Sequence, residues 1–177
     1  MVPVRLSLLE DCSKPCSESC NCKIMPDCAE PIEKVMQQHL TVQLHLCAQL
    51  EEIADELPEN IDCQKLLVVA RSILPTVKKA HEFEETRVFP HLQAEAIGCE
   101  GISNSLERLR FEHWEDESFA EELCDGLIKF VTKEDDPSPD TLGYMLRGFF
   151  EGLRRHIAFE MEHILPLLRQ PAGYSLQ

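Results

Sequence analysis

The sequence is poor in basic residues, long apolar runs and aromatic side chains. Its 177 residues include 17 Lys or Arg against 32 Asp or Glu, which gives a formal net charge of −15. Such a chain repels phosphate backbones and anionic lipid, so we expect neither a nucleic-acid partner nor a membrane partner. Small cations are its natural partners, because the negative potential attracts them.

The chain also lacks the segments that mark membrane and secreted proteins. No stretch reaches the ~20 uncharged apolar residues that a membrane helix needs, and the N-terminus is not a convincing signal peptide. The nine cysteines do not indicate a disulfide scaffold. Four of them lie in or beside helical patterns, where we expect packing roles: Cys47, Cys63, Cys99 and Cys124. We therefore predict a cytoplasmic protein with reduced thiols.

Residues 1–29 hold the other five cysteines among Ser, Pro and charged residues, with no apolar period. We predict an irregular Cys-rich N-terminal segment. Its cysteines lack the paired C-x-x-C spacing of a standard zinc site. Three interpretations stay open: reduced unstructured thiols, a second metal or iron–sulfur site, and a redox-responsive disulfide region.

From residue 30 the pattern is helical. Apolar residues recur at spacings of three and four over about 31–57, 62–97, 103–132 and 139–170, the third helix being capped by Ser103 or Ser105. Pro75 and Pro90 should bend or interrupt the second helix. Because short connections make neighbouring helices run antiparallel, we predict an all-α, up-down-up-down four-helix bundle over 30–170, followed by a C-terminal tail over 171–177.

Four of the seven histidines have Glu four residues later, on the same helix face one turn on. A single pair of this kind is usually a solvent-exposed helix pair. In an antiparallel bundle, however, the rise of ~1.5 Å per residue places one set of candidate metal ligands, drawn from all four helices, at the same height along the bundle axis. The set is His39, His81, Glu85, His113, Glu117, His156 and Glu160. By the same test His45 and His91 lie off the site, and His163 is expected in the core.

Seven potential ligands exceed the tetrahedral set of one zinc ion. Four imidazoles and three carboxylates suit two ions bridged by carboxylates. Mixed nitrogen and oxygen ligation favours iron, and manganese, the next choice, or zinc are possible substitutes. We expect Glu85 and Glu160 to bridge. Apolar residues such as Leu44, Trp114 and Phe159 are candidates to line a pocket for a diatomic ligand, although apolar helix residues are ordinarily bundle filling.

The sequence resembles the hemerythrin-like (HHE cation-binding) domain family. The resemblance covers about residues 30–168 and rests on HEFEETRVFP (81–90), HIAFEMEHILP (156–166), EPIEKVMQQH (30–39) and FEHWEDE (111–117). It implies an oxo- or hydroxo-bridged non-haem di-iron centre held by the seven residues named above. Two departures from the oxygen-carrying members matter: Glu117 stands where they have a second His, and Glu160 follows its His by four rather than five residues. The extra carboxylate favours ferric iron, which disfavours reversible O₂ storage.

We therefore predict a di-iron protein that binds or responds to O₂, NO or peroxide, or handles iron under oxidative or nitrosative stress. It is expected to be a metal-binding or sensor protein rather than an enzyme with a dedicated organic substrate. Two alternatives stay open, a carboxylate-bridged di-iron oxidase or ferroxidase and a metal-free helical interaction module. The pattern fits a monomer or a dimer equally well.

Overall fold

The computed structural model describes residues 30–59, 61–95, 100–134 and 137–169. These residues contain helices and connections but no strand. In chain order the helices are α1 (Ile32–Glu56), α2 (Cys63–Phe83), α3 (Phe89–Glu95), α4 (Glu100–Thr132), α5 (Pro139–Phe159) and α6 (Leu165–Leu168). A first π turn (Glu84–Val88) joins α2 to α3, and a second π turn (Glu160–Ile164) joins α5 to α6. The predicted all-α fold is confirmed.

Contacts between the helices fix an up-down-up-down bundle. Helix α1 packs against α2 and α5, and α4 packs against the same two helices. Two ion pairs show that α1 and the last helical stretch are antiparallel. Glu33, near the start of α1, pairs with Arg169, whereas Asp55, near the end of α1, pairs with Arg147. Each neighbouring pair is antiparallel in the same way, so residues distant in the sequence meet at one height.

Local signals in the sequence place two of the helix starts. The Asp62 carboxylate accepts hydrogen bonds from the backbone N–H groups of Gln64 and Lys65 at the start of α2. The Ser138 hydroxyl accepts one from the N–H of Thr141, with Pro139 at the first position of α5. Both caps satisfy N–H groups that have no partner within the helix.

Two helix boundaries differ from those predicted. Helix α2 is not interrupted at Pro75, whereas just before Pro90 the regular α-helix is broken by the π turn Glu84–Val88. Helix α4 begins at Glu100 rather than after a Ser103 or Ser105 cap, and the Ser105 hydroxyl donates instead to the Gly101 carbonyl within the helix. Serine side chains bond to the carbonyl four residues back as readily as they cap, so sequence alone did not distinguish the two uses.

The core is a continuous apolar column of Leu, Ile, Val, Met and Phe side chains contributed by all four helical stretches. Leu44 and Trp114 are outside it, with exposed fractions of 38% and 63%, so neither lines an internal pocket. Cys47 is buried and Cys124 is half-buried, as packing roles require, but Cys63 is exposed. Predictions that concern Cys99 and the Cys-rich segment over 1–29 lie outside the described residues. In the part of the chain that is described, no helix has the length and apolarity to cross a membrane.

Candidate metal centre

Three histidines from three different helices meet in the middle of the bundle. His81 lies in the last turn of α2, His113 in α4 and His156 near the end of α5. The His81 and His113 rings stack with centroids 3.9 Å apart, and the His156 ring centroid lies 5.2 Å from that of His113. None of the three is more than 6% exposed. The three histidines thus lie at one height of the antiparallel bundle, as their spacing in the sequence predicts.

Two glutamates complete the cluster. Glu84 and Glu160 are the first residues of the two π turns, and both are fully buried. Glu84 Oε2 lies 3.1 Å from His113 Nε2, and Glu160 Oε1 lies 3.5 Å from His156 Nε2. Among the described residues, two overlapping groups could hold a metal ion: the three histidines, and the set Glu84, His113, His156 and Glu160. We refer to these five side chains as the central cluster.

Glu84 was not among the predicted ligands, because the prediction took the acid four residues after each histidine. Another spacing in the sequence points to Glu84. Glu84 lies six residues before Pro90, and Glu160 lies six residues before Pro166. Alignment of the two segments on their prolines, which accompany the π turns, pairs Glu84 with Glu160.

Glu85 and Glu117, which the sequence predicts as ligands, contact the outer nitrogens of two cluster histidines. Glu85 Oε1 lies 2.8 Å from His113 Nδ1, and Glu117 Oε1 lies 3.1 Å from His81 Nδ1. An ionised carboxylate only accepts, so each Nδ1–H donates and the Nε2 lone pair is left facing inward. Carboxylates in this position fix the tautomer and orientation of metal-binding histidines.

The structure does not bring His39 into the central cluster. His39 is half-buried in α1, with its ring centroid 5.1 Å from that of Phe83. Direct ligation by His39, Glu85 and Glu117 stays a prediction. His45 is exposed, and His91 pairs with Glu95 at 3.5 Å on the surface. His163 is exposed and packs on Phe159, so its predicted place in the core was wrong.

Burial and mutual repulsion set the charges of the cluster. Burial, reinforced by His113 and His156, lowers the pKa of His81 to about 2. Burial next to Glu160 raises the pKa of Glu84 well above its usual range. Burial also opposes a charge on His156, but Glu160, Asp116 and Glu112 outweigh it and raise the pKa of that imidazole. In the absence of a cation, burial therefore favours the neutral imidazole of His81 and the protonated carboxyl group of Glu84.

The inward-facing atoms of the cluster have no hydrogen-bond partner among the described residues. Among the described residues nothing forms a hydrogen bond with Nε2 of any of the three histidines or with either carboxylate oxygen of Glu84 and Glu160. Such buried, unsatisfied groups are costly unless something binds them. Two adjacent ligands at about 2.1 Å from one ion lie about 3.0 Å apart, close to the separations found here. The cluster therefore fits a metal.

A four-helix bundle with a buried His/Glu cluster of this composition is a metal-binding helical protein. The chain belongs to the hemerythrin HHE cation binding domain family, whose model matches residues 30–168. The resemblance inferred from the motifs is confirmed over the same range. No curated protein and no solved structure matches the chain at a significant level.

Proposed function

We propose that the protein binds iron at the central cluster, and that its role is to bind or respond to O₂, NO or peroxide, or to handle iron under oxidative or nitrosative stress. A cytoplasmic location is part of this proposal. The observation that supports it most directly is the set of buried donor atoms that have no hydrogen-bond partner in the described part of the chain. A purely structural core has no reason to bury three imidazoles and two carboxyl groups in this state.

The number and type of donors favour two ions. Three imidazole Nε2 atoms and the four carboxylate oxygens of Glu84 and Glu160 exceed the six positions of one octahedral ion. Glu84 and Glu160, one from each π turn, would supply the carboxylates that hold the two ions, and His81, His113 and His156 would supply the imidazoles. Mixed nitrogen and oxygen ligation suits iron, with manganese or zinc as substitutes.

A bound iron pair would supply affinity for small diatomic or peroxide ligands and one-electron redox chemistry. The protein's own residues prepare the site for it. Glu85 and Glu117 hold His113 and His81 in the tautomer that directs Nε2 inward, and the Phe89 ring packs against the His113 ring. Glu84, whose pKa is raised by burial next to Glu160, releases its proton when a cation replaces it, so metal uptake is expected to release protons.

A ferroxidase is the second candidate, and one observation favours it. A groove of about 520 Å³ is lined by acidic side chains and by His156 of the cluster, which offers a place for ferrous ions to collect beside the centre. A ferroxidase turns over many ferrous ions per protein in air, whereas a sensor or binding protein consumes oxidant only in proportion to its own iron. Oxygen consumption against added ferrous ion distinguishes the two.

The proposal is tested by loading the protein with ferrous ion without oxygen, counting bound iron, and recording the absorption spectrum before and after exposure to air. We expect two irons per chain and new near-ultraviolet charge-transfer bands after exposure. His81→Ala should lose most of the iron. His91→Ala, which alters an exposed His/Glu pair of the same spacing, is the matched control and should keep it. Failure to bind iron, manganese or zinc would refute the proposal and leave a metal-free interaction module.

A further inference from the structure

A groove between α4 and α5 leads from the surface to the central cluster. It has a volume of about 520 Å³. Its charged and titratable lining consists of Arg108, Glu112, Glu115, Asp116, Arg155 and His156. His156 forms its inner end, and that side chain belongs both to the groove and to the central cluster. We call this feature the α4–α5 groove.

His156 differs from the other two cluster histidines in the state of its Nδ1 atom. The Nδ1 atoms of His81 and His113 are held by Glu117 and Glu85 in hydrogen bonds. His156 is only 6% exposed, yet neither of its ring nitrogens has a hydrogen-bond partner among the described residues. Glu112 Oε2 and Asp116 Oδ2 lie 3.5 and 3.6 Å from Nδ1, and Asp116 Oδ2 is itself unpaired.

These three atoms are suited to a cation. An imidazole nitrogen and two carboxylate oxygens are the ligand types of divalent metals, and the carboxylates would repel an anion. The two arginines of the groove lie further out. Arg108 is exposed and already donates to Glu112 Oε1 at 2.8 Å, and Arg155 is exposed. The chain's net charge of −15 attracts cations to the groove mouth.

We propose that the α4–α5 groove is the route by which divalent cations reach the central cluster, with Glu112, Asp116 and His156 Nδ1 as a transient binding site on the way. This inference rests on the proposed function, since it concerns the loading of the same centre. The outer sides of His81 and His113 are less suited to this task, because a cation arriving there has to break the hydrogen bond to Glu117 or Glu85.

The test measures the rate of anaerobic ferrous-ion uptake, with free ion assayed by a chromogenic chelator at short intervals. Glu112→Gln combined with Asp116→Asn should slow uptake by about tenfold, the lower end of electrostatic effects on association, with the final iron content unchanged. Glu121→Gln combined with Glu122→Gln makes the same change in net charge on α4, outside the groove lining, and should not slow uptake. Arg108→Gln should accelerate it, because Glu112 is released from its ion pair.

Uptake at the wild-type rate in the Glu112/Asp116 variant would overturn the inference while leaving the proposed function intact. A lower final iron content in that variant would also overturn it, because the two residues would then belong to the bound state rather than to the route. Slower uptake in the Arg108 variant would contradict the role proposed for Glu112 in the transient binding site. If the wild-type protein takes up no iron at all, the proposed function itself fails.

Discussion

Adjacent residues Glu84 and Glu85 occupy different environments, although both follow the same histidine. The Glu84 side chain is fully buried among the cluster histidines, whereas the Glu85 side chain is 39% exposed and holds His113 from outside. Successive residues on a helix point about 100° apart, so a shift by one position along the helix decides whether a carboxylate faces the centre of the bundle. The two side chains therefore have separable effects on metal binding.

Glu84→Gln and Glu85→Gln test this separation with equal changes in size and charge. We expect Glu84→Gln to lose more than about half of the bound iron, because a ligand is removed from the centre. Glu85→Gln should keep the metal content and weaken affinity by about 10–100-fold, the usual effect of a partner that orients a ligand. Metal counting and titration against a competing chelator measure both. The reverse pattern would restore Glu85 as the ligand that the sequence predicts.

Asp116 carries a pH dependence of its own in the metal-free protein. Burial, with Glu112 and other nearby acids adding to it against the opposing effect of His156, raises the pKa of Asp116 to about 6 from the usual 3.8. Between these two values the folded protein keeps a proton that the unfolded chain has released. The free energy of unfolding should therefore fall as pH rises from about 4 to 6, by up to about 3 kcal/mol from this group.

Asp116→Asn isolates that contribution. In chelator-treated protein we expect the variant to gain stability relative to wild type as pH rises from 4 to 7, with little difference at the acidic end. Urea unfolding at several pH values measures the difference. A constant offset between the two proteins across this range would show that burial does not shift the Asp116 titration.

The two π turns are the elements that carry the buried glutamates. In each one the closing backbone N–H bonds to a carbonyl five residues back, from Phe89 to Glu84 and from Leu165 to Glu160. Pro90 and Pro166 follow immediately and have no N–H to continue the α-helical ladder. π turns occur frequently at functional sites, and here each begins at a residue of the central cluster.

Core packing, rather than the prolines, is expected to hold these turns. Val88, Phe89, Ile164 and Leu165 are all at most 4% exposed, and an α-helical turn would rotate them away from the core. Pro90→Ala combined with Pro166→Ala should therefore change the free energy of unfolding by less than about 1 kcal/mol and leave the metal content unchanged. Chemical unfolding and metal counting test this. A loss of metal with helicity retained would show that the prolines themselves impose the turns.

For the bundle as a whole, the central cluster is a local weakness until a cation binds. Helices α2, α4 and α5 each bury titratable groups there, and the inward-facing atoms have no hydrogen-bond partner among the described residues. Metal bound only by the folded state should stabilise it by about 2.7 kcal/mol at 100 times the dissociation constant. For a chain of this size that is a rise of roughly 5–10 °C in the unfolding temperature.

Thermal unfolding with ferrous or manganous ion, and again after chelation, measures this rise. His81→Ala is expected to abolish most of it, whereas His91→Ala should retain it. An unfolding temperature that does not respond to any of the metals would argue that the cluster is an inert part of the core.

Periodicity and spacing in the sequence were sufficient for the all-α class, the order of the four helical stretches, and the meeting of His81, His113, His156 and Glu160. These follow from short-range rules, since apolar period and antiparallel connection together fix the height of each residue. The sequence did not reveal that Glu84 rather than Glu85 joins them, or that Pro75 is accommodated within α2. Those outcomes depend on the rotation of each helix about its axis, which the π turns and the packing of all four stretches set together. A shift of one residue leaves the apolar pattern unchanged but reverses burial, so periodicity alone could not choose between the two carboxylates. The assembled core decides which of them it encloses.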